Sequence, residues 1–326
     1  MPKLRMIFKN LVALTCVIGL TACGDHVQPV AAGGVAPDMS KVTLVLGDQV
    51  NFMRSKAEAA GVLEGIPYKI KWASFQGAAP LFEAVMSGDV DTAPAADTPV
   101  LAAAAAGAPV KVVAAWVTPP VGVAILVPQD SPIKTVADLK GGSLIVSSAR
   151  GSVAHYLLFG ALREVGLRQQ DLTVGFMLPG DAAVAFSSGK VEAWATFGTY
   201  QAMAELHGAR VLRDGIGINS GLGLITASDK ALADTGKRAA LVDVLQRFAR
   251  ANEWANTHPK EYAKVFSKLT GLPADVVDLV VQRDHPRTVP LDAHVVGQLQ
   301  DVADAFYAAK LFPNRVDASK LIAPGF

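Results

Sequence analysis

The chemistry open to this chain is bounded first by its nucleophiles. Two cysteines occur in 326 residues: Cys16 lies inside an apolar run, and Cys23 closes the tetrapeptide Leu20-Thr21-Ala22-Cys23. Lys3, Arg5 and Lys9 precede an apolar stretch from Leu11 to Leu20. That is the layout of a secretory signal, and a cysteine at the cut has the form of a lipoprotein box. The stretch is too short to span a bilayer. Cleavage before Cys23 removes Cys16 and makes Cys23 a diacylated N-terminus, so no thiol remains for a disulfide, a nucleophile or a metal. Ser131-Pro132-Ile133-Lys134 has the Ser-x-x-Lys spacing of a serine acyl-enzyme. Pro132 disfavours helical geometry at Ser131, however, and that chemistry needs the serine to open a helix. Asp89 and Asp91 flank Val90 as polar turn positions rather than as an acid/base pair. No His-x-x-x-His, cysteine pair or carboxylate cluster has metal-ligand spacing. The residues therefore predict a protein that is not an enzyme and uses no cofactor or metal.

Removing residues 1–22 removes three basic and no acidic residues, so 30 basic against 29 acidic becomes 27 against 29. The mature chain is nearly neutral, with no basic stripe for nucleic acid and no polybasic membrane patch. Its contact with a membrane is expected through the lipid alone, at the periplasm or the outer face of a bacterial membrane. About 300 mature residues exceed what one core usually organises, which predicts two lobes.

The elements that must position any site alternate strand and helix. Residues 24–38 mix Gly, Pro and Ala without periodicity, so residues 23–40 read as a flexible tether. Val42–Leu46 reads as a strand, 47–51 as a loop, Phe52–Ala60 as a helix, Tyr68–Trp72 as a strand and Ala79–Met86 as a helix stopped by Ser87-Gly88. This alternation predicts an α/β fold with parallel strands. The chain then repeats itself. Leu81–Val100 and Val184–Gln201 superimpose with Gly88 on Gly189, pairing Ser87 with Ser188, Val90 with Val191, Asp91 with Glu192, Asp97 with Gly198 and Thr98 with Thr199. One helix, stop, strand and new helix in each half predicts two similar α/β lobes. The apolar runs Val121–Pro128 and Gly221–Ala227 read as the two crossovers. Lobe 1 is then 41–123 with 217–326, and lobe 2 is 124–216. Helices are expected over Lys237–Thr257, Pro259–Thr270, Pro273–Gln282 and Ala293–Ala309.

Several segments in this order resemble a known family: Ser131 to Gly141 (SPIKTVADLKG), Gly151-Ser152 with His155 and Leu157-Leu158, Ala161 to Leu167 (ALREVGL), Val191 to Ala195 (VEAWA) and Val302 to Pro313. The chain is similar over about 41–314 to the aliphatic-sulfonate-binding proteins of ABC importers, whose close relatives bind nitrate and taurine. The resemblance implies a two-lobed periplasmic-binding fold (type II), with two parallel-rich sheets and two crossover strands. It implies that the lobes close on a small anion and pass it, as a monomer, to an ABC permease and its ATPase. Relatives usually carry an aromatic, an aspartate and a proline after the Trp194-Ala195 position, where this chain has Thr196-Phe197-Gly198-Thr199. Enzymes of pyrimidine-precursor and menaquinone pathways share the fold, and a ligand sensor would share the site.

In that architecture the turns at 47–52, 95–99, 147–152 and 197–200 face the cleft. Each presents a helix N-terminus with unpartnered N–H groups and partial positive charge, which is anion-binding geometry without a metal. A sulfonate offers three acceptor oxygens, so Asn51, Thr98, Ser152 and Thr199 are expected donors. Gln49, Gln76, Gly151, Gly198 and Tyr200 complete the set. Asp97 reads chiefly as an N-cap, with ligand contact as the alternative, and Arg150 as a charge donor or a solvated side chain. Trp116 and Trp194 are expected either to wall the pocket or to pack in the core. His155 reads as structural, and Arg283 to Thr288 as a solvated rim. With Trp194 as a wall and Gly198 freeing volume beside it, long-chain or aromatic sulfonates are expected to rank above taurine, and both above nitrate.

Overall fold

The computed structural model describes residues 37–326; the leader, Cys23 and most of the 23–40 tether lie outside the described residues. In chain order the first elements are β1 (Thr43–Gln49), α1 (Phe52–Ala59), β2 (Lys69–Phe75), α2 (Ala78–Ser87), β3 (Thr92–Ala96), α3 (Asp97–Ala105) and β4 (Val110–Val117). Next come β5 (Val123–Val127), β6 (Ser143–Ser147), α4 (Val153–Glu164), β7 (Thr173–Met177), α5 (Pro179–Ser187), β8 (Ala193–Phe197), α6 (Gly198–Leu206) and β9 (Arg210–Asp214). The chain finishes with β10 (Leu222–Ser228), α7 (Asp229–Ala233), α8 (Thr235–Thr257), α9 (Pro259–Thr270), α10 (Ala274–Arg283), β11 (Arg287–Val289) and α11 (Ala293–Ala308).

Two sheets result. The first has the order β11-β4-β10-β3-β1-β2, the second β7-β6-β8-β5-β9. The strands β2, β1 and β3 run parallel, as do β7, β6 and β8. The two segments read as crossovers are strands, β10 and β5, each running antiparallel to both of its neighbours within one sheet. The passage between sheets falls in the links 118–122 and 215–221. Because strands with helices on both faces bury both sides, each sheet carries two cores. Leu81, Leu101, Leu299 and Phe306 fill one face of the first sheet, and Leu44, Leu46, Leu241 and Val244 the other. Leu144, Val146, Leu157 and Leu158 fill one face of the second, and Leu126, Phe186 and Trp194 the other.

The internal repeat is structural. In each copy a helix stops at a glycine in the left-handed region, Gly88 at φ 83° and Gly189 at φ 70°, where a side chain would be strained. A strand and a new helix follow, β3–α3 and β8–α6, so Asp97 and Gly198 occupy the same first helical position. The strand expected to stop at Leu46 continues to Gln49, pairing Asp48 with Ser74 and Gln49 with Phe75. Gly47 permits this: a Cβ there would stand 2.5 Å from the Thr92 carbonyl oxygen, so only glycine lets β1 lie so close to β3.

Candidate functional site

The strand-to-helix turns of both sheets, with the two links, enclose a cavity of about 290 Å³. That is near the lower end of the range small-ligand sites occupy, about 300–1,000 Å³. Phe52, Met53, Pro94, Trp116, Pro119, Pro120, Phe197 and Val280 give it mostly apolar walls. Trp116 is aimed by its neighbour strand, since a Cβ on Gly223 would fall 2.2 Å from the indole. Its ring therefore lies flat on the β10 backbone.

The first sheet brings carboxylates. Asp48, 1% exposed, accepts from the backbone N–H groups of Gln49 (2.7 Å), Met53 (3.1 Å) and Arg54 (2.8 Å). It thereby occupies donors at the start of α1 that would otherwise face a ligand. The intervening turn holds Val50 at φ 53° and Asn51 at φ 55°. A β-branched residue there costs roughly 1–3 kcal/mol and persists only where the surroundings fix it. Asp97, 4% exposed, accepts from Thr98 N–H (2.6 Å) and from the Ser220 hydroxyl (2.5 Å) in the second link. Burial pushes both carboxyls up to about 6, against the lowering effect of their hydrogen bonds and, for Asp48, of Lys56. Asp284, on the cavity wall, is paired with buried Lys56 at 2.7 Å. Arg283 beside it makes a two-pronged contact with Glu205, at 2.7 and 2.9 Å. The expectation of a solvated rim at 283–288 therefore fails at its start, where Arg283 bridges α10 to α6.

The second sheet brings amides. The helix α6 begins at Gly198 with no side-chain cap, and Gly198, Thr199 and Tyr200 line the cavity. The helix α4 is capped by neutral Ser152, whose hydroxyl accepts from His155 N–H (3.3 Å) and donates to the Ser147 carbonyl (3.0 Å). Opposite them α2 also starts without a side-chain cap, at Ala78 on the cavity wall. Gln76 reaches across to accept from Gly180 N–H at 3.4 Å.

Of the residues singled out from sequence, Gln49, Gln76, Asp97, Trp116, Ser152, Gly198, Thr199 and Tyr200 are brought together around the cavity. The rest stand elsewhere. Asn51 shapes the β1–α1 turn, its N–H donating to Ser74. The Thr98 hydroxyl is fully buried, without a partner among the described residues, and Thr98 does not line the cavity. Arg150 is exposed, lies over the Phe176 ring at 4.9 Å and does not line the cavity. Gly151 packs on α3, where a Cβ would fall 2.6 Å from that of Ala102, and its φ of 80° requires glycine. Ser152 lines the wall, but its hydrogen is directed at Ser147, so it is not the hydroxyl donor expected. Trp194 is 1% exposed in the core under α5, its indole N–H donating to Ser147 (2.9 Å). Trp194 thus walls nothing. Strand alternation could have shown this: Phe197 faces the cavity, and a residue three positions back on a strand points the other way. Sequence reasoning also missed Asp48 as an occupant of the α1 amides, and Ser148, Asn219 and Asp284 as wall residues. His155, 0% exposed, accepts from Gly151 N–H and pairs with Gln169, both at 3.0 Å.

Comparison with known proteins returns one theme. Residues 63–262 match the family model described as NMT1/THI5 like. The chain is 36% identical over 256 residues to an aliphatic sulfonates-binding protein of Escherichia coli (strain K12), covering 78% of this chain and 79% of that one. The alkanesulfonate-binding protein SsuA from Xanthomonas axonopodis pv. citri, solved bound to MOPS, superimposes with a TM-score of 0.80 at 32% identity, over 89% of this chain and 99% of that one. The desulfurization enzyme DszB shares the fold, with a TM-score of 0.61 at 18% identity over 87% of this chain and 96% of that one.

Proposed function

We propose, from the premise that this chain belongs to the NMT1/THI5-like family and within it to the aliphatic-sulfonate-binding proteins, that it captures an organosulfonate in the cavity between its two sheets for an ABC importer. The observation that carries the reading is the uncapped start of α6 on the cavity wall. Free N–H groups at a helix start, with the helix dipole behind them, suit a sulfonate head. Trp116, Phe52 and Phe197 then receive an alkyl or ring tail, at roughly 25 cal/mol for each Å² of apolar surface removed from water. A sulfonate with a ring tail, MOPS, occupies one relative, in keeping with that division of the site.

The ionisable groups on the wall are carboxylates that already accept hydrogen bonds, an arginine held by Glu205 and the Tyr200 phenol, beside helix amides and neutral side chains. This is a binding site's equipment, and it supports a receptor over the catalysis found elsewhere in the fold. In the full reading the two sheets mark two lobes that close about the links 118–122 and 215–221. Cys23 tethers the exported protein to its membrane, and a permease and ATPase accept the ligand. Closure should appear as a smaller radius of gyration in scattering when sulfonate is added, and an unchanged radius would reject it. Cys23→Ser should release folded protein from the membrane, whereas continued retention would reject the anchor.

The sulfonate reading itself is tested by calorimetry on the soluble domain. Sulfonates with tails of several carbons should bind more tightly than nitrate. Tight nitrate binding with no heat from any sulfonate would overturn it.

A further inference from the structure

Charges around the cavity are arranged poorly for a simple anion. The wall residues and their direct partners include four carboxylates, Asp48, Asp97, Asp284 and Glu205, against two cations, Lys56 and Arg283. Both cations are already paired. Asp284 holds Lys56, Glu205 holds Arg283, and Asp48 is caged by backbone N–H groups. Asp97 is different. Among the described residues its only hydrogen bonds are from Thr98 and Ser220 and no cation contributes to its ionisation, and it faces the same cavity. An ionised carboxylate buried without a countercharge is costly unless something supplies one.

The residue before Ser220 bears on how Asp97 is held. Asn219 precedes the Ser220 that holds Asp97, is 8% exposed and also lines the cavity. Its amide nitrogen donates to the Val153 carbonyl at 3.1 Å, which fixes the amide's orientation and leaves the oxygen Oδ1 buried with no donor. That oxygen lies toward Gly215 within the second link, so Asn219 braces the segment whose next residue, Ser220, holds Asp97. A carboxylate that lines the cavity without a countercharge matches a group with N–H donors and a positive charge.

We propose that Asp97 forms an ammonium subsite, which makes the protein selective for sulfonates whose carbon skeleton also carries a protonated amine. The inference rests on the sulfonate reading and deepens it: the head is held by the α6 amides, and the amine by Asp97. It revises the expectation that ranked taurine low, which leaned on Trp194 as a wall. The charged and titratable groups that share the cavity with Asp97 are Asp48 of β1, Tyr200 of α6, Arg283 of α10 and Asp284 just after it; the phenol of Tyr156 on α4 is raised by burial and then by the Asp97 charge.

The test is calorimetry with a matched pair, 3-aminopropanesulfonate and butanesulfonate, which differ by an ammonium in place of a methyl. At pH 8 the wild type should bind the amino compound about tenfold or more tightly, as expected of a hydrogen bond between charged groups. In Asp97→Asn the ratio should fall to near one. Equal binding by the wild type, or tighter binding of butanesulfonate, overturns the inference and leaves the sulfonate reading intact, as does a preference that survives in Asp97→Asn. Heat from neither compound overturns the sulfonate reading and this inference with it. If Asp97→Asn does not fold, the wild type decides by pH. The preference should shrink between pH 8 and pH 5 as the carboxylate takes up a proton, and a constant ratio across that range overturns the inference.

Discussion

Asp97 and Gly198 occupy the same position in two copies of one folding unit, yet they give the cavity opposite chemistry. Both open a helix after a short strand at the cavity wall. At Asp97 a carboxylate takes the Thr98 N–H and adds a negative charge. At Gly198 there is no side chain, φ is 58°, and the α6 amides stay open. The same contrast recurs around the site. The helix α1 of the first sheet is covered by Asp48, whereas α4 of the second is capped by the neutral Ser152. Although α2 of the first sheet also starts uncapped, the duplicated unit itself thus places an acceptor at α3 and open donors at α6, and that difference orients a ligand with a negative head.

The largest effect should come from removing the charge on the acceptor side. The folded-state value of Asp97 is about 6 against 3.8 for the free side chain, so between those values the folded protein binds a proton more tightly than the unfolded chain. Stability from this group therefore falls as pH rises through that window, by about 3 kcal/mol for a shift of roughly two units. Asp97→Asn should be more stable than wild type at pH 8, lose about half of that advantage at pH 5 and most of it by pH 4, as read by urea unfolding. A variant less stable at both pH values would mean that the Thr98 and Ser220 hydrogen bonds outweigh the buried charge.

A smaller effect tests the donor side. Thr199→Pro removes one N–H from the first turn of α6, where proline is tolerated. Sulfonate affinity should drop about tenfold, equivalent to about 1.4 kcal/mol. Thr199→Val keeps the N–H and should lose less. Equal losses in the two variants would shift the role from the amide to the hydroxyl. Smallest of all, Ser152→Ala removes the neutral cap of α4 and should lower unfolding stability by about 1 kcal/mol, with the midpoint shift in denaturant as the readout.

Local signals made much of this legible. The Ser-Gly stops and the strand-to-helix changes gave the repeat, because glycine in the left-handed region and alternating apolar runs are properties of short segments. The cavity turns followed from the resemblance and the helix-start rule. What escaped were facts of layer and partner. Trp194 stays open between wall and core in the sequence, and strand alternation decides it only once Phe197 is known to face the cavity. The α1 amides looked open because Asp48 was read as loop rather than as the carboxylate folded onto them. Arg283 looked solvated because its partner, Glu205, lies 78 residues away in the chain.

The central claim is that the sulfonate head rests on the donor side of one cavity. A crystal structure with bound hexanesulfonate, its sulfur located by anomalous scattering, tests this most directly. The sulfur should sit within hydrogen-bonding reach, through its oxygens, of the Gly198–Tyr200 amides, with the carbon tail on Trp116. A sulfur found against Asp97, or outside the cavity, would contradict the account.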